Sequence, residues 1–341
     1  MMRRTWKRFA AELTFALGLG AIVWLVMRLG WPSIAHALAY IGARGVLILA
    51  LAHIPTLVVL GLAWWGVARH ATRVPPSGFV WARLVREASG ELLPFSQVAG
   101  FALGARALAL AGTPWIVAAA SSLLDVFAEQ AAKTPYTLIG VALLLRLSHN
   151  GDVVWPALAL VGVTTALVVL VVLKRKWVRG RLEALAETMA QKWQGRSGPG
   201  PAGAGAAARQ ALAPGGGLGL SLALHLTGWF LGGAETWLAF TLLGAHLTVP
   251  QALVIDGLFT AVKVFAFSIP GAVGVQEAAY VLLAGLFAVP APIAVAFSLV
   301  RRGRDLVLGG PALLAWQLVE RSRRGRGPKR SADGRELSRP G

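Results

Sequence analysis

Long apolar runs separated by short polar segments dominate the 341-residue chain. About 20 helical residues cross the hydrocarbon core of a bilayer, and several runs reach or approach that length. These runs are apolar on every side rather than along one stripe, which favours burial in lipid over a soluble helical bundle. The pattern predicts an all-α fold, a polytopic transmembrane bundle, because helices satisfy their own backbone hydrogen bonds in lipid.

Ten helices are predicted from these runs. They cover residues 9–27, 46–68, 97–111, 115–131, 137–147, 153–173, 218–243, 252–267, 275–289 and 293–319. Some are too short to span a bilayer, so the number of crossings between residues 94 and 150 stays open. The first run follows several arginines and lysines without a convincing cleavage site, and we interpret it as a retained helix rather than a signal peptide.

Basic residues account for a formal net charge of +18, and they are unevenly distributed. They concentrate at the N-terminus, in 69–86, in 174–209 and after residue 320. This positive-inside pattern predicts that both termini and the loops 69–93 and 174–214 face the cytoplasm. It also argues against nucleic acid as a partner, because the charge is explained by topology.

The chain is predicted to consist of two membrane halves, 1–173 and 217–320. Residues 174–216 join them, beginning with "KRKWVRGRLEALAETMAQKW". The apolar residues of this quoted stretch recur at helical spacing, which indicates an amphipathic helix at the membrane interface or a solvated linker helix. The Gly/Ala/Pro-rich remainder is typical of a flexible linker, with 195–216 poorly ordered. The basic tail, 321–341, is predicted to be disordered.

Each half contains an interrupted apolar segment. Pro94 interrupts 85–112, where glycines at small-xxx-small spacing predict close helix approach. Pro270, Gly271 and Gly274 interrupt 256–287. Breaks at membrane depth are tolerated where they are buried in protein or line a cavity. Paired breaks are typical of transporter binding sites, with an inverted repeat as one possibility, and we expect these two to meet near the membrane middle.

A half-helix beginning near Val275 is expected to direct its free N–H groups into that cavity and to favour an anion there. Glu277, in its first turn, has two interpretations: a polar group of the binding site, or a carboxylate that caps the helix.

Other charged residues also lie inside apolar runs, where charges usually face the bundle interior. One hypothesis is that six of them converge on one polar cavity: Arg106, Asp125, Glu129, Glu277, Arg304 and Asp305. The alternative is that Glu129–Lys133 and Arg301–Asp305 are local pairs four residues apart. Glu235, Asp256 and Lys263 are singly placed.

Motifs of soluble catalysis are missing from the sequence. There is no cysteine, and the six histidines show no metal-ligand spacing. Nucleotide-binding glycine patterns and nucleophile motifs are also missing. The sequence therefore predicts no catalytic residue, metal or cofactor, although an integral enzyme acting on a polyprenyl or glycosylated lipid, with Asp125 and Glu129 as acid and base, is an alternative.

Four blocks resemble one family: "VREASGELLPFSQVAGFALGARAL", "AAASSLLDVFAEQ", "IPGAVGVQEAAYVLLAGLF" and "LVRRGRDLVLGGPALLAWQ". They are similar to hopanoid-biosynthesis-associated membrane proteins, within the flippase-like group that includes the membrane domain of lysylphosphatidylglycerol synthases. The likeness covers about residues 5–320 and departs from the family pattern at Gly90, Phe95 and Ala99. It implies lipid translocation or distribution in the bacterial inner membrane, with an anionic phospholipid or a hopanoid as partner.

Combining motif and resemblance, the predicted substrate path is formed by Arg86, Glu87, Pro94, Arg106, Asp125, Glu129, Pro270, Gly271, Gly274, Gln276, Glu277, Arg302, Arg304 and Asp305. No aminoacyl-transferase domain follows residue 320, so lysyl transfer is not expected. A scaffold for hopanoid enzymes is a third possibility, and the oligomeric state is open.

Overall fold

The computed structural model describes residues 31–93, 96–147, 217–265 and 274–324, with isolated positions 155, 159 and 162. This part of the chain forms eight α-helices and no strand, which confirms the all-α prediction there. The helices are α1 (Trp31–Ala68), α2 (Pro76–Leu92), α3 (Ser96–Leu110), α4 (Trp115–Leu147), α5 (Leu218–Leu242), α6 (Val249–Phe265), α7 (Val275–Gly285) and α8 (Ala291–Arg324).

Five of the eight described helices lie within about five residues of their predicted bounds, and α1, α2 and α4 differ. Helix α1 begins fifteen residues earlier than predicted and is kinked at Gly42, where φ is 57°. Two helices were predicted where α4 is continuous. The helix passes through Pro135, which lies inside it. The predicted helices at 9–27 and 153–173, the amphipathic segment, the linker and the tail lie outside the described ranges.

Helix α2 corrects the prediction of a cytoplasmic loop over 69–93. Proline in the first turn suits a helix start, because its missing N–H has no intrahelical partner there. Phe79 and Val85 enter an apolar core, and Arg83 and Arg86 are buried as well. The charges that suggested a loop are therefore interior groups of a packed helix.

Two glycines of α3 allow it to pack closely on α2. A Cβ on Gly100 would lie 2.6 Å from the Arg86 carbonyl oxygen, and one on Gly104 would lie 2.7 Å from the Arg86 Cβ. The predicted close approach is thus confirmed. Helix α2 ends at an extended Leu93, and Pro94, which follows it, is outside the described residues.

Several helices share each of the two larger apolar cores of the described residues. The first is built by α1, α5, α6, α7 and α8, with Phe240 stacked on Phe297 at 4.2 Å between ring centroids. The second is built by α1, α2, α3 and α4 around Trp64 and Phe79. Helix α1 enters both cores, through Leu49 and Trp64 respectively, and His53 lies between these two positions.

Among the described residues, one helical segment, Ile34–Ala68, is long and apolar enough to cross a membrane by length and composition. Its most apolar window has a mean hydropathy of 2.4. His53 lies near the middle of this segment and is buried.

Candidate functional site

Ten buried or partly buried polar side chains make a continuous set of contacts across α1, α2, α4, α5 and α8. We call this set the buried charge network. Its members are His53, Arg83, Arg86, Glu87, Asp125, Glu129, His225, Glu235, Arg304 and Asp305.

Two arginines of α2 hold two carboxylates of α4. Arg83 donates to both oxygens of Glu129, from Nη1 at 2.9 Å and from Nη2 at 3.3 Å. Arg86 donates from Nη2 to Glu129 at 2.8 Å and from Nη1 to Asp125 at 2.5 Å. Each pair of residues lies about one helical turn apart, so the two helices present matching rows of opposite charge.

Helix α5 adds His225, whose Nε2 lies 2.9 Å from Asp125 Oδ1, with both side chains fully buried. The Arg86 guanidinium also lies 4.6 Å from the centroid of the Phe101 ring, within the range of a cation–π contact. Asp125 therefore joins α2, α4 and α5 through one carboxylate.

His53 connects this region to the C-terminal helices. Its Nε2 lies 2.7 Å from Glu87 Oε1 on α2, and its Nδ1 lies 2.7 Å from Glu235 Oε2 on α5. Glu87 Oε2 is 3.6 Å from Arg83 Nε, an ion pair too long for a hydrogen bond. Glu87 is thus the residue that links the arginine–carboxylate contacts to His53.

Arg304 of α8 completes the network. Its Nη1 donates to Glu235 and lies 3.1 Å from His53 Nδ1, while its Nη2 donates to Asp305 at 2.6 Å. Beside these groups is a small cavity lined by His53, Leu57, Leu84, Glu87, Ala88, Glu91, Asp305, Leu308 and Gly309.

The network contains five carboxylates but three arginines, so its two histidines decide its balance of charge. Charges in a low-dielectric interior are retained where partners compensate them. Removing one partner from a buried ion pair typically costs about 3–5 kcal/mol, because the other charge is left uncompensated.

Glu277 lies in a separate polar contact set at the start of α7. One oxygen accepts the Gly274 N–H at 2.8 Å, so the capping interpretation is confirmed. The other accepts from Ser298 Oγ and from Arg302 Nε, each at 3.0 Å. Gln276 donates to Ser298 at 2.9 Å. Gly274, with φ of 82°, adopts the backbone conformation that glycine tolerates.

Of the six charges expected to converge, four lie in the network: Asp125, Glu129, Arg304 and Asp305. Arg106 instead pairs with Glu320 at 3.1 Å, and Glu277 pairs with Arg302. Three other members of the predicted path, Pro94, Pro270 and Gly271, lie outside the described residues, so the predicted meeting of the two breaks stays a prediction.

The alternative of local ion pairs is wrong at both positions. Glu129 pairs with arginines of α2, while the Lys133 ammonium lies 4.8 Å from the centroid of the Trp229 ring. Arg301 donates to Tyr280 at 2.7 Å and lies 3.4 Å from Asp256, a carboxylate that also accepts from Tyr136 and Thr236. Glu129 and Arg301 thus have their partners on other helices, while Asp305 pairs with the neighbouring Arg304.

Sequence reasoning missed His53, Arg83 and His225 and left Glu235 outside the predicted path. The histidines are scattered along the sequence and show no metal-ligand spacing. A usable signal was present, because a polar residue in the middle of a long apolar run marks a functional position in membrane proteins.

Comparison with protein families gives a match over residues 11–311 to the lysylphosphatidylglycerol synthase TM region. The chain belongs to this family. This membership agrees with the long apolar helix and identifies a membrane protein. No curated protein and no solved structure matches the chain.

Proposed function

We propose that this protein moves or distributes membrane lipids between the two leaflets of the bacterial inner membrane, with the buried charge network on the lipid headgroup's path. The observation that carries the proposal is the location of this network. It surrounds His53, near the middle of the one described segment that is long and apolar enough to span a bilayer. Ionisable groups at such depth are costly and typically mark substrate or ion pathways.

The outer surface of α1 supports a lipid-facing position. Four large apolar side chains recur at helical spacing along one exposed face: Leu47, Leu51, Ile54 and Val58. Leu51 keeps 57% of its surface exposed although His53, two residues further on, is buried. An apolar exterior around a polar interior is the reverse of a soluble protein and suits a multi-pass bundle.

The helix breaks support a transporter-like arrangement of two halves. The segment between α2 and α3 contains Pro94. The segment between α6 and α7 contains Pro270 and Gly271. Corresponding breaks in two halves are the usual sign of a transporter binding site, and an inverted repeat is part of this proposal.

The substrate proposed here is a lipid with an anionic or hydroxylated headgroup, with an anionic phospholipid and a hopanoid as the two classes. Arg302 Nη2 and His225 Nδ1 are buried atoms without a hydrogen-bond partner among the described residues. Arg302 presents a donor, and such a donor suits a phosphate or hydroxyl oxygen.

An enzyme using Asp125 and Glu129 as acid and base is less well supported. Both carboxylates are held by the guanidinium groups of Arg83 and Arg86, so neither is free to face a substrate. The extensive pairing within the network would also suit a scaffold protein, and a scaffold differs from a transporter in moving no lipid.

The proposal is tested with the purified full-length protein reconstituted into vesicles that contain a fluorescent phospholipid or hopanoid. Dithionite quenching measures how fast the label crosses. We expect faster crossing than in protein-free vesicles, and Asp125→Asn to slow it by about tenfold, equivalent to about 1.4 kcal/mol.

A matched control is Glu320→Gln, which removes a carboxylate from the ion pair with Arg106, outside the network. Its crossing rate should stay close to that of the wild type, with both variants compared at equal amounts of folded protein. A wild-type rate equal to that of empty vesicles for both lipid classes would favour the scaffold.

A further inference from the structure

The contacts of His53 require one more proton than a neutral histidine and two ionised carboxylates provide. Both of its ring nitrogens lie 2.7 Å from a carboxylate oxygen, one on Glu87 and one on Glu235. An ionised carboxylate can only accept a hydrogen bond, whereas a neutral imidazole has one N–H to donate. Two acceptors facing each other at 2.7 Å would repel, so a second proton is shared at this site.

We infer that His53, Glu87 and Glu235 form a binding site for one exchangeable proton, and that binding and release of this proton drive the movement of lipid. The coupling rests on the proposed function. The proton site rests on the geometry alone, and it assigns to this chain an ion that is transported or exchanged together with the lipid.

Arg304 gives the site a second stable arrangement. In the protonated state His53 donates to Glu235, and Arg304 Nη1 donates to the same carboxylate. Nη1 also lies 3.1 Å from His53 Nδ1. Once the proton has left, the Nδ1 lone pair can accept a hydrogen bond from this guanidinium, so the contact between α1 and α5 becomes one between α1 and α8.

Among the described residues, the charged groups around His53 come from three helices besides α1. They are Glu87, with Arg83 and Glu91 beyond it, on α2; Glu235 on α5; and Arg304, Asp305 and, beyond Glu235, Arg301 on α8. The carboxylates of α4 reach the site through Arg83. The network has two carboxylates more than arginines, and this excess of negative charge favours a bound proton.

A route for the proton leads from His53 along α2. Glu87 and Glu91 lie one helical turn apart, and both line the small cavity beside His53. Glu91 pairs with Lys263 at 2.6 Å, and the Lys263 side chain is 33% exposed. Glu87 Oε2 accepts no hydrogen bond from the described residues, so it is available to receive a proton. Carboxylates and histidines in series are the usual parts of proton relays in transporters.

The first experiment observes the proton directly. Full-length protein with ¹⁵N-labelled histidine is studied by NMR in lipid nanodiscs, and the His53 signals are assigned by their loss in His53→Gln. We expect both ring nitrogens to carry protons at neutral pH and one of them to lose its proton as the pH rises. A neutral imidazole at every pH, or an imidazolium that never deprotonates before unfolding, would overturn the exchangeable site.

The second experiment measures coupling in reconstituted vesicles. If one proton moves with each lipid, a difference of one pH unit can sustain up to about tenfold asymmetry of labelled lipid between the leaflets. We expect this asymmetry in the wild type and its loss in His53→Gln. The exposed His36, also on α1, provides the control: His36→Gln should behave as the wild type does.

A further variant covers the case in which His53→Gln does not fold. Glu235→Gln keeps the size of the side chain but removes one carboxylate, so the neutral imidazole signal should appear at neutral pH and the asymmetry should disappear. Lipid movement that ignores the pH gradient would overturn the coupling. An exchangeable His53 proton in a protein that moves no lipid would overturn the proposed function and leave the proton site standing.

Discussion

The single carboxylate of Glu277 has two roles. It stabilises the start of α7, and it forms an ion pair with Arg302. The first N–H groups of a helix have no intrahelical acceptor, and the glutamate accepts the N–H of Gly274 just before the first turn. Its second oxygen holds Ser298 and Arg302 of α8. Of its two sequence-based interpretations, capping is thus confirmed by a contact, and contact with lipid stays a prediction.

Replacing Glu277 separates these two roles. Glu277→Gln keeps an oxygen that can accept from Gly274 but removes the charge opposite Arg302, whereas Glu277→Ala removes both. We expect both variants to lower the thermal unfolding temperature in detergent, and the alanine variant to lose about 1 kcal/mol more, the typical worth of a cap. Equal stability of the two variants would show that capping contributes nothing here.

Helix α2 shows which elements a sequence can reveal and which it cannot. Helices α1, α3, α5 and α6 follow from apolar runs, because apolar length needs no knowledge of partners. In α2 the apolar face is interrupted by Arg83, Arg86 and Glu87, which resemble the basic residues of a cytoplasmic loop. Their hydrogen-bond partners lie more than thirty residues away, as the separations of 46 for Arg83–Glu129 and 34 for His53–Glu87 show.

The glycine contact between α2 and α3 predicts an element-scale effect. In Gly100→Ala the new Cβ would meet backbone atoms of Arg86 and Gly90, which cannot move aside as a side chain can. We expect a loss of about 1–3 kcal/mol, typical of overpacking. The matched control is Gly219→Ala on α5, where a Cβ meets nothing within 4 Å.

Thermal unfolding of both alanine variants in the same detergent checks this prediction. Gly219→Ala should be as stable as the wild type or slightly more stable, because alanine favours helix more than glycine does. If Gly100→Ala is equally stable, then α2 and α3 are less closely packed than described.

At the scale of the whole molecule, the buried charge network joins segments on both sides of the predicted linker. His53 bonds Glu235 across 182 residues, and Arg304 reaches His53 across 251 residues. Individual members such as Asp125 and Arg304 could be chosen from sequence, because charges in apolar runs are conspicuous. Their pairing could not be predicted from the sequence, because the arrangement of the helices in space decides which of several carboxylates meets which arginine.

This joining predicts that the two halves hold together without a covalent link. Helix α1 packs along α5, and α4 packs along α6, so large contacts cross the linker in addition to the ionic ones. A protease site inserted between residues 198 and 214 would allow the linker to be cut after folding. We expect the two fragments to elute together in mild detergent, and also to keep the His53 signals of the intact protein.

The side from which the linker is cut tests the orientation at the same time. Basic loops are retained on the cytoplasmic side, so the protease should cut in inside-out vesicles and not in right-side-out vesicles. Cutting from the outer face would reverse the predicted topology. Fragments that separate on elution although the uncut chain is folded would mean that helix contacts and the network together are too weak to hold the halves. The same cleavage can be repeated on a protein that also carries Glu235→Gln. Weaker association of its two fragments would identify the His53–Glu235 contact as one of the bonds that hold the halves together.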